Sequence, residues 1–88
     1  MSKEDIRLLE ERHVISTVLY IRDHPGCKKS ELYPAVSKNP RMPQKLELLV
    51  SMGLVTMESR EDSSATFLDL TDKGKRVAEH LSKVANIL

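Results

Sequence analysis

The side chains best suited to specific chemistry fall in one window, residues 27–46. This window carries five cations against one carboxylate, Glu31, whereas the net charge of the whole chain is only +1. An arginine can donate two hydrogen bonds to a guanine edge, and a glutamine such as Gln44 can pair with adenine in the same bidentate way. Lysines are suited to phosphates. The cations are Lys28, Lys29, Lys38, Arg41 and Lys45.

These side chains can also be no more than a solvated helix surface, which is the more common role of exposed charged residues. The scarcity of aromatic residues narrows the alternatives, because the chain has no tryptophan, one phenylalanine and two tyrosines. Proteins that bind single strands or RNA rely on aromatic side chains for base stacking, so those functions are disfavoured. The secondary-structure elements that carry residues 27–46 must decide between specific contacts and a solvated surface.

Residues 40–52 are predicted to form a helix that presents part of the window outward. Asn39 is a favourable N-cap, and Pro40 and Pro43 suit a first turn, where backbone N–H groups have no intrahelical partner. Gly53 suits the left-handed conformation that ends many helices. Apolar residues at helical spacing face inward: Leu46, Leu49, Val50 and Met52. The first two turns then carry on their outer face Arg41, Gln44 and Lys45.

Two helices are predicted before this segment. The first covers residues 3–23, about twenty residues with helical apolar spacing, and stops at Pro25-Gly26. The second is brief and ends at Val36. It begins at residues 28–30, because Pro34 is tolerated only within a first helical turn.

Two strands are predicted after it, Leu54–Ser59 and Ala65–Leu70. The polar segment 60–64 between them is typical of a turn, so the strands form a hairpin. The short extended link at residues 27–29 can add a third strand to this hairpin. A mixed α+β architecture, mostly helical, follows from this order of elements.

Two motifs stand on either side of the hairpin. The first is L-x-x-L-x-x-x-G-L-V, from Leu46 to Val55, and the second is L-T-x-K-G, from Leu70 to Gly74. In this order and at this separation they resemble the winged helix-turn-helix transcription regulators of bacteria and archaea, in the broad MarR/PadR/ArsR-like sense. The resemblance covers about residues 13–82.

The resemblance implies a three-helix core, a β-hairpin wing and a C-terminal helix. It also implies that the helix at 40–52 reads the major groove of double-stranded DNA. By position, Arg41, Gln44 and Lys45 fall on this recognition helix and Arg60 on the wing. The remaining lysines are expected to contact phosphates near the second helix: Lys28, Lys29 and Lys38.

The chain departs from the family pattern in two places. The wing usually carries several basic residues, whereas Arg60 here has acidic neighbours, namely Glu58, Glu61 and Asp62. Pro40 and Pro43 replace the small hydroxyl residues that are common at the start of the recognition helix. The first departure weakens the expected contact between wing and DNA. The second removes possible phosphate-binding groups but stiffens the start of the helix.

The last predicted helix covers residues 72–87, capped by Thr71, and carries a heptad-like apolar seam. The seam consists of Val77, Leu81, Val84 and Leu88. It can pack onto the first helix of its own chain, but that core needs only its first half. The second half, with Ile6 and Leu9, favours a homodimer through helices 3–23 and 72–87. Such a dimer places two recognition helices about 34 Å apart, one turn of DNA.

Several classes of function have little support. No Ser–His–Asp set, glycine-rich phosphate loop or paired carboxylates can be recognised, so we expect no enzyme and no cofactor. His24 and Cys27 form an H-x-x-C pair without the usual spacing of further ligands, so no metal site is predicted. A single cysteine fits a reducing cytoplasm. The amino-terminal residues lack the apolar region of a signal peptide, and no apolar run could span a membrane.

We therefore expect residues 1–88 to form one winged-helix domain that binds double-stranded DNA and regulates transcription. Two alternatives stay open. The first is a winged helix used for protein–protein contact in a larger assembly, which the acidic segment 47–64 favours. The second is a sensor that binds a small ligand between the halves of a dimer.

Overall fold

The computed structural model describes residues 7–10, 13–37, 40–59 and 64–88. Within these ranges, besides a helical stretch at residues 7–9, four helices and three strands follow one another in the order α1–β1–α2–α3–β2–β3–α4. The helices are α1 (Val14–Asp23), α2 (Lys29–Val36), α3 (Met42–Ser51) and α4 (Asp72–Ile87). The strands are β1 (Cys27–Lys28), β2 (Val55–Ser59) and β3 (Thr66–Leu70).

Helix α1 is the centre of the fold, because it packs against all three other helices and against β3. Its residues Val14, Val18 and Ile21 are fully buried, at the spacing of one helical face. Thr17 is buried with them, and its hydroxyl donates a hydrogen bond to the His13 carbonyl at 2.7 Å. This bond satisfies the buried Thr17 hydroxyl.

The prediction of one continuous helix over residues 3–23 is wrong at His13. Residues 7–9 are helical, but His13 has a left-handed backbone with φ 71° and precedes the first residue of α1. Its carbonyl then accepts the first bond of α1, from the N–H of Thr17 at 2.9 Å. A regular helix cannot pass through a left-handed residue, so α1 is a separate helix of ten residues.

The three strands form one antiparallel sheet in the order β1–β3–β2. Five residue pairs join β2 to β3, from Val55–Leu70 to Ser59–Thr66, which confirms the predicted hairpin. The link before α2 adds the expected third strand, where Cys27 pairs with Leu68. The hairpin turn at residues 60–63 lies outside the described residues.

Helix α2 begins at Lys29, within the predicted range, but it does not confine Pro34 to its first turn. Pro34 is the sixth residue of the helix and is exposed. A proline there leaves the carbonyl four residues earlier without its helical partner, and exposure lets water satisfy it. Leu32 anchors the helix to the core because it is fully buried.

Helix α3 begins two residues later than predicted. Arg41 is its N-cap, and its carbonyl accepts bonds from the N–H groups of Gln44 and Lys45, at 3.1 and 3.2 Å. Pro40 therefore precedes the helix, whereas Pro43 lies in its first turn as expected. The predicted cap Asn39 lies outside the described residues.

The core lies between the helices and the sheet. Besides the residues of α1, its fully buried members come from α2, α3, the sheet and the residue before β2, among them Leu32, Leu46, Leu49, Leu54 and Leu68. Helix α4 closes one side through Ala78, which is fully buried, with Val77 and Leu81 packed against the cluster as predicted. Leu9, which was expected to join a dimer surface with Ile6, packs against the core of its own chain instead, and Ile6 lies outside the described residues.

Candidate nucleic-acid interface

One outward face of α3 carries three of the predicted contact residues. Leu46 and Leu49 are fully buried and fix the opposite face of the helix to the core. Arg41 and Gln44 are exposed, and Lys45 is half-buried. Because residues three and four apart are neighbours on a helix, the three side chains lie beside one another.

These three residues line a surface depression of about 280 Å³ together with Leu48. Two cations and one amide thus surround an opening on the outer side of α3. The groups match the donors that proteins present to base edges and phosphates in the major groove. Sequence reasoning did not single out Leu48, although its spacing of seven from Arg41 could have placed it on this face.

Lys28 and Lys29 stand apart from the depression, at the start of α2. Lys28 is the N-cap of α2 and is exposed, whereas Lys29 is half-buried. The Glu31 carboxylate accepts a hydrogen bond from the Lys28 backbone N–H at 3.4 Å. A carboxylate near these lysines lowers their attraction for phosphate.

Two further predicted contacts fall outside the described ranges. They are Lys38, which precedes α3 in the sequence, and Arg60, which lies between β2 and β3 in the sequence. Both stay predictions. Among the described residues of the hairpin strands, Glu58 is exposed, in agreement with the acidic character noted in the sequence.

The carboxyl end of α3 is closed by glycine and by α4. Gly53 has φ 76°, which confirms the predicted left-handed cap. Its N–H bonds to the Val50 carbonyl at 3.0 Å, and the Leu54 N–H bonds to the Leu49 carbonyl at 3.1 Å. This pair of bonds is a Schellman motif, and it satisfies two carbonyls of the last turn.

The three carbonyls that follow α3 accept bonds from the start of α4. Lys73 Nζ donates to the Met52 carbonyl at 3.0 Å, the Thr71 hydroxyl donates to the Gly53 carbonyl, and the Thr71 N–H donates to the Leu54 carbonyl at 3.0 Å. We call this set of contacts, between residues 52–54 and 71–74, the α3–α4 clasp. The ammonium of Lys73 also suits the negative end of the α3 dipole.

The clasp explains why the two sequence motifs occur together. Thr71 caps α4 as predicted, since its hydroxyl oxygen accepts a bond from the Gly74 N–H at 2.9 Å. Gly74 lies so close to Leu54 that a Cβ there would overlap the Leu54 carbonyl oxygen. The glycine is required by this close approach, because its backbone is helical and needs no special φ. The clasp therefore joins the carboxyl end of α3 to α4.

Comparison with known proteins gives matches in structure only. No protein-family model matches the chain, and no curated protein sequence matches it significantly. Among solved structures, Streptococcus pneumoniae FabT in complex with DNA has a TM-score of 0.77 at 17% identity, over 96% of this chain and 64% of FabT. A possible HxlR family transcriptional factor from Thermoplasma volcanium has a TM-score of 0.80 at 15% identity, over 99% of this chain and 82% of that one.

This is a winged helix. A third similar structure is the A103V mutant of MepR from Staphylococcus aureus, with a TM-score of 0.77 at 16% identity over 94% of this chain. The chain spans slightly less than two thirds of the length of FabT and of MepR. At these identities the likeness establishes the fold, and it confirms the predicted mostly helical α+β architecture.

In this winged helix, α2 and α3 correspond to the helix-turn-helix pair and the β2–β3 hairpin to the wing. Cys27 of β1 and Tyr33 of α2 are titratable groups with shifted pKa values. Burial, helped by the Glu31 carboxylate, raises the pKa of the Cys27 thiol above its ordinary value of 9.0. Burial and the Glu47 carboxylate likewise raise the pKa of Tyr33 above 10.0. Both groups are therefore neutral at physiological pH, which suits structural roles.

The winged helix offers little for metal chemistry in its described part. No group of three or more histidine, cysteine, aspartate or glutamate side chains within those ranges could hold a metal ion. His24 is exposed and its ring stacks on Tyr20, with ring centres 4.2 Å apart, whereas the Cys27 thiol is buried. Across the same ranges, every helix is too short or too polar to cross a membrane.

Proposed function

We propose that this chain binds double-stranded DNA in a sequence-specific manner and acts as a regulator of transcription. The observation that carries the proposal is the outward face of α3, where Arg41, Gln44 and Lys45 surround one depression on the helix that corresponds to the recognition helix. Arginine and glutamine provide the bidentate donors that discriminate guanine and adenine. The structural likeness to FabT, whose structure was solved with DNA, supports the same function.

The attachment of α3 to the domain supports this role. Leu46 and Leu49 anchor its inner face, and the α3–α4 clasp holds its carboxyl end. A helix that reads base edges must be held rigidly, because a small displacement costs the geometry of bidentate hydrogen bonds. The amino-terminal turns, which carry Arg41 and Gln44, are then the part that projects toward DNA.

We also propose that two copies of the chain bind DNA together as a dimer. Three apolar side chains at the end of α4 are exposed: Val84 by 52%, Ile87 by 83% and Leu88 by 99%. Covering them with the same surface of a second copy would bury this patch. A two-fold dimer would also present two recognition helices to two half-sites.

The same exposed surfaces support one alternative, a winged helix that contacts another protein. Its supporting observations are the apolar end of α4 and the exposed carboxylates Glu47 and Glu58. DNA binding is favoured over it because the cationic face of α3 has the chemistry of base recognition.

The test is selection of bound sequences from a random duplex pool, followed by titration of the most enriched duplex at two salt concentrations. We expect a shared motif and an affinity that falls as salt rises, since phosphate contacts release counterions. Absence of binding at low salt would reject the proposal. Salt-independent capture of a protein partner would support the alternative.

A further inference from the structure

We propose that Leu48 is a specificity-determining residue that contacts the 5-methyl group of thymine. The inference rests on the proposed function and deepens it, because it names a class of target: duplexes with a thymine beside the bases that Arg41 and Gln44 contact. The starting observation is that the apolar side chain of Leu48 does not belong to the core cluster and lies among polar side chains.

Leu48 differs from the other leucines of α3. Leu46 and Leu49 are fully buried members of the core cluster, whereas Leu48 is half-buried and does not pack against that cluster. Its side chain lines the surface depression instead. Exposed apolar residues are common on protein surfaces, so exposure alone carries nothing. The inference rests on the position of Leu48 on the face of α3 that is proposed to contact base edges.

The helical spacing places Leu48 in line with the two cations of the depression. Arg41, Lys45 and Leu48 follow one another at intervals of four and three residues, which is one face of a helix. Leu48 therefore extends the row that begins with Arg41 at the amino end of α3. A duplex seated against Arg41 and Gln44 would meet Leu48 one turn further along.

The backbone around Leu48 is fixed. Its carbonyl accepts hydrogen bonds from the Met52 N–H at 3.0 Å and from the Ser51 hydroxyl at 2.7 Å. The turn that carries the side chain is thus closed by two hydrogen bonds to the Leu48 carbonyl, so the side chain is held at a defined place on the helix surface.

Thymine is the one standard base that presents a methyl group in the major groove. An apolar side chain gains by burying that methyl, and leucine offers two methyl groups for the contact. Replacing thymine by deoxyuridine removes the methyl group and keeps the pairing edge and the O4 acceptor. The substitution therefore isolates the contact that we assign to Leu48.

The experiment replaces each thymine of the selected duplex in turn by deoxyuridine and measures affinity for four proteins. These are the wild type, Leu48→Ala, Leu48→Gln and the control Ile15→Ala, which changes an exposed apolar residue on α1. The glutamine variant keeps the size of the side chain, and it replaces the alanine variant in the affinity measurement if the alanine variant is destabilised. Thermal unfolding of each variant shows that it is folded.

For the wild type we expect deoxyuridine to weaken binding by about threefold to fivefold at one thymine per half-site, as for the burial of one methyl group. Both Leu48 variants should bind thymine and deoxyuridine duplexes equally, and Ile15→Ala should keep the wild-type difference. The inference is overturned if no thymine matters to the wild type, or if the Leu48 variants keep the full difference. In either case the proposed function stands, because the wild type still binds the duplex. Failure of the wild type to select any duplex would overturn both.

Discussion

Buried and exposed side chains divide α3 into a face that packs against the core and a face that is available to bind DNA. Leu46 and Leu49 are completely buried, whereas Arg41 and Gln44 are exposed. The types and spacing of these residues could be predicted from the sequence, because a helical period separates apolar from polar positions. Leu48 was not assigned from the sequence, since an apolar residue in a helix is expected in the core, although its spacing of seven from Arg41 points to the outer face. Its half-buried position beside Arg41 and Lys45 places it there in the structure.

Cys27 gives a prediction for the pH dependence of stability. Burial raises the pKa of its thiol in the folded chain above 9.0, so the folded state keeps a proton that the unfolded state loses. Stability is therefore fully present below about pH 9 and falls as the pH rises through the folded pKa. Urea unfolding between pH 8 and pH 10 should show this fall.

The control for this prediction is Cys27→Ala, which removes the titrating group. This variant is expected to lose some packing energy at every pH, because Cys27 is buried in the core. Its free energy of unfolding should decline less steeply than that of the wild type between pH 9 and pH 10. Equal slopes for the two proteins would assign the decline to other groups.

At the level of elements, helix and strand types followed from periodicity and from turn residues, but two boundaries did not. The break at His13 depends on a left-handed residue that is not glycine, and no local pattern marks it. The start of α3 depends on which residue accepts the first hydrogen bonds, and two prolines close together left that choice open. Pro34 was predicted to demand a first turn, but exposure makes a later position tolerable.

Gly74 tests the α3–α4 clasp. Replacing a helical glycine by alanine normally stabilises a protein by about 0.5–1 kcal/mol. At Gly74 the added Cβ would overlap the Leu54 carbonyl oxygen, so we expect destabilisation by about 1–3 kcal/mol instead. Chemical unfolding of Gly74→Ala measures the sign directly.

Gly26→Ala is the matched comparison, because nothing lies within 4 Å of its added Cβ. Its positive φ of 74° still disfavours alanine, by about 1–2 kcal/mol. The two variants thus test two different reasons for a glycine. Stabilisation by Gly74→Ala would show that the clasp does not require close approach at this residue.

At the level of the whole molecule, the open question is what covers the end of α4. The sequence predicted Val77 and Leu81 as core residues and Val84 and Leu88 as unpartnered, and the structure places them so. Val77 and Leu81 face elements of their own chain. The apolar side chains that follow stay exposed in the described residues of one copy, and the sequence does not identify what covers them.

Ile87→Glu tests the proposed dimer. A carboxylate at a residue that is 83% exposed should leave the fold intact, but it would be buried without a partner in a dimer interface. We expect sedimentation equilibrium to show a wild-type dimer and a weakened or monomeric variant. Asn86→Glu adds the same charge on the opposite side of α4 and should remain dimeric. If Ile87→Glu and Asn86→Glu both sediment as dimers like the wild type, the apolar end of α4 is not part of the interface.

The most direct test of the central claim, that the outer face of α3 reads base edges, compares sequence preference in two arginine variants. Arg41→Ala should bind the selected duplex about 1–3 kcal/mol more weakly and lose its preference for one base pair, while binding to unrelated duplex falls much less. Arg22→Ala removes an exposed arginine on α1, ion-paired with Asp23 at 3.2 Å, and should keep the wild-type preference. Equal affinity and an unchanged preference in Arg41→Ala would contradict the account.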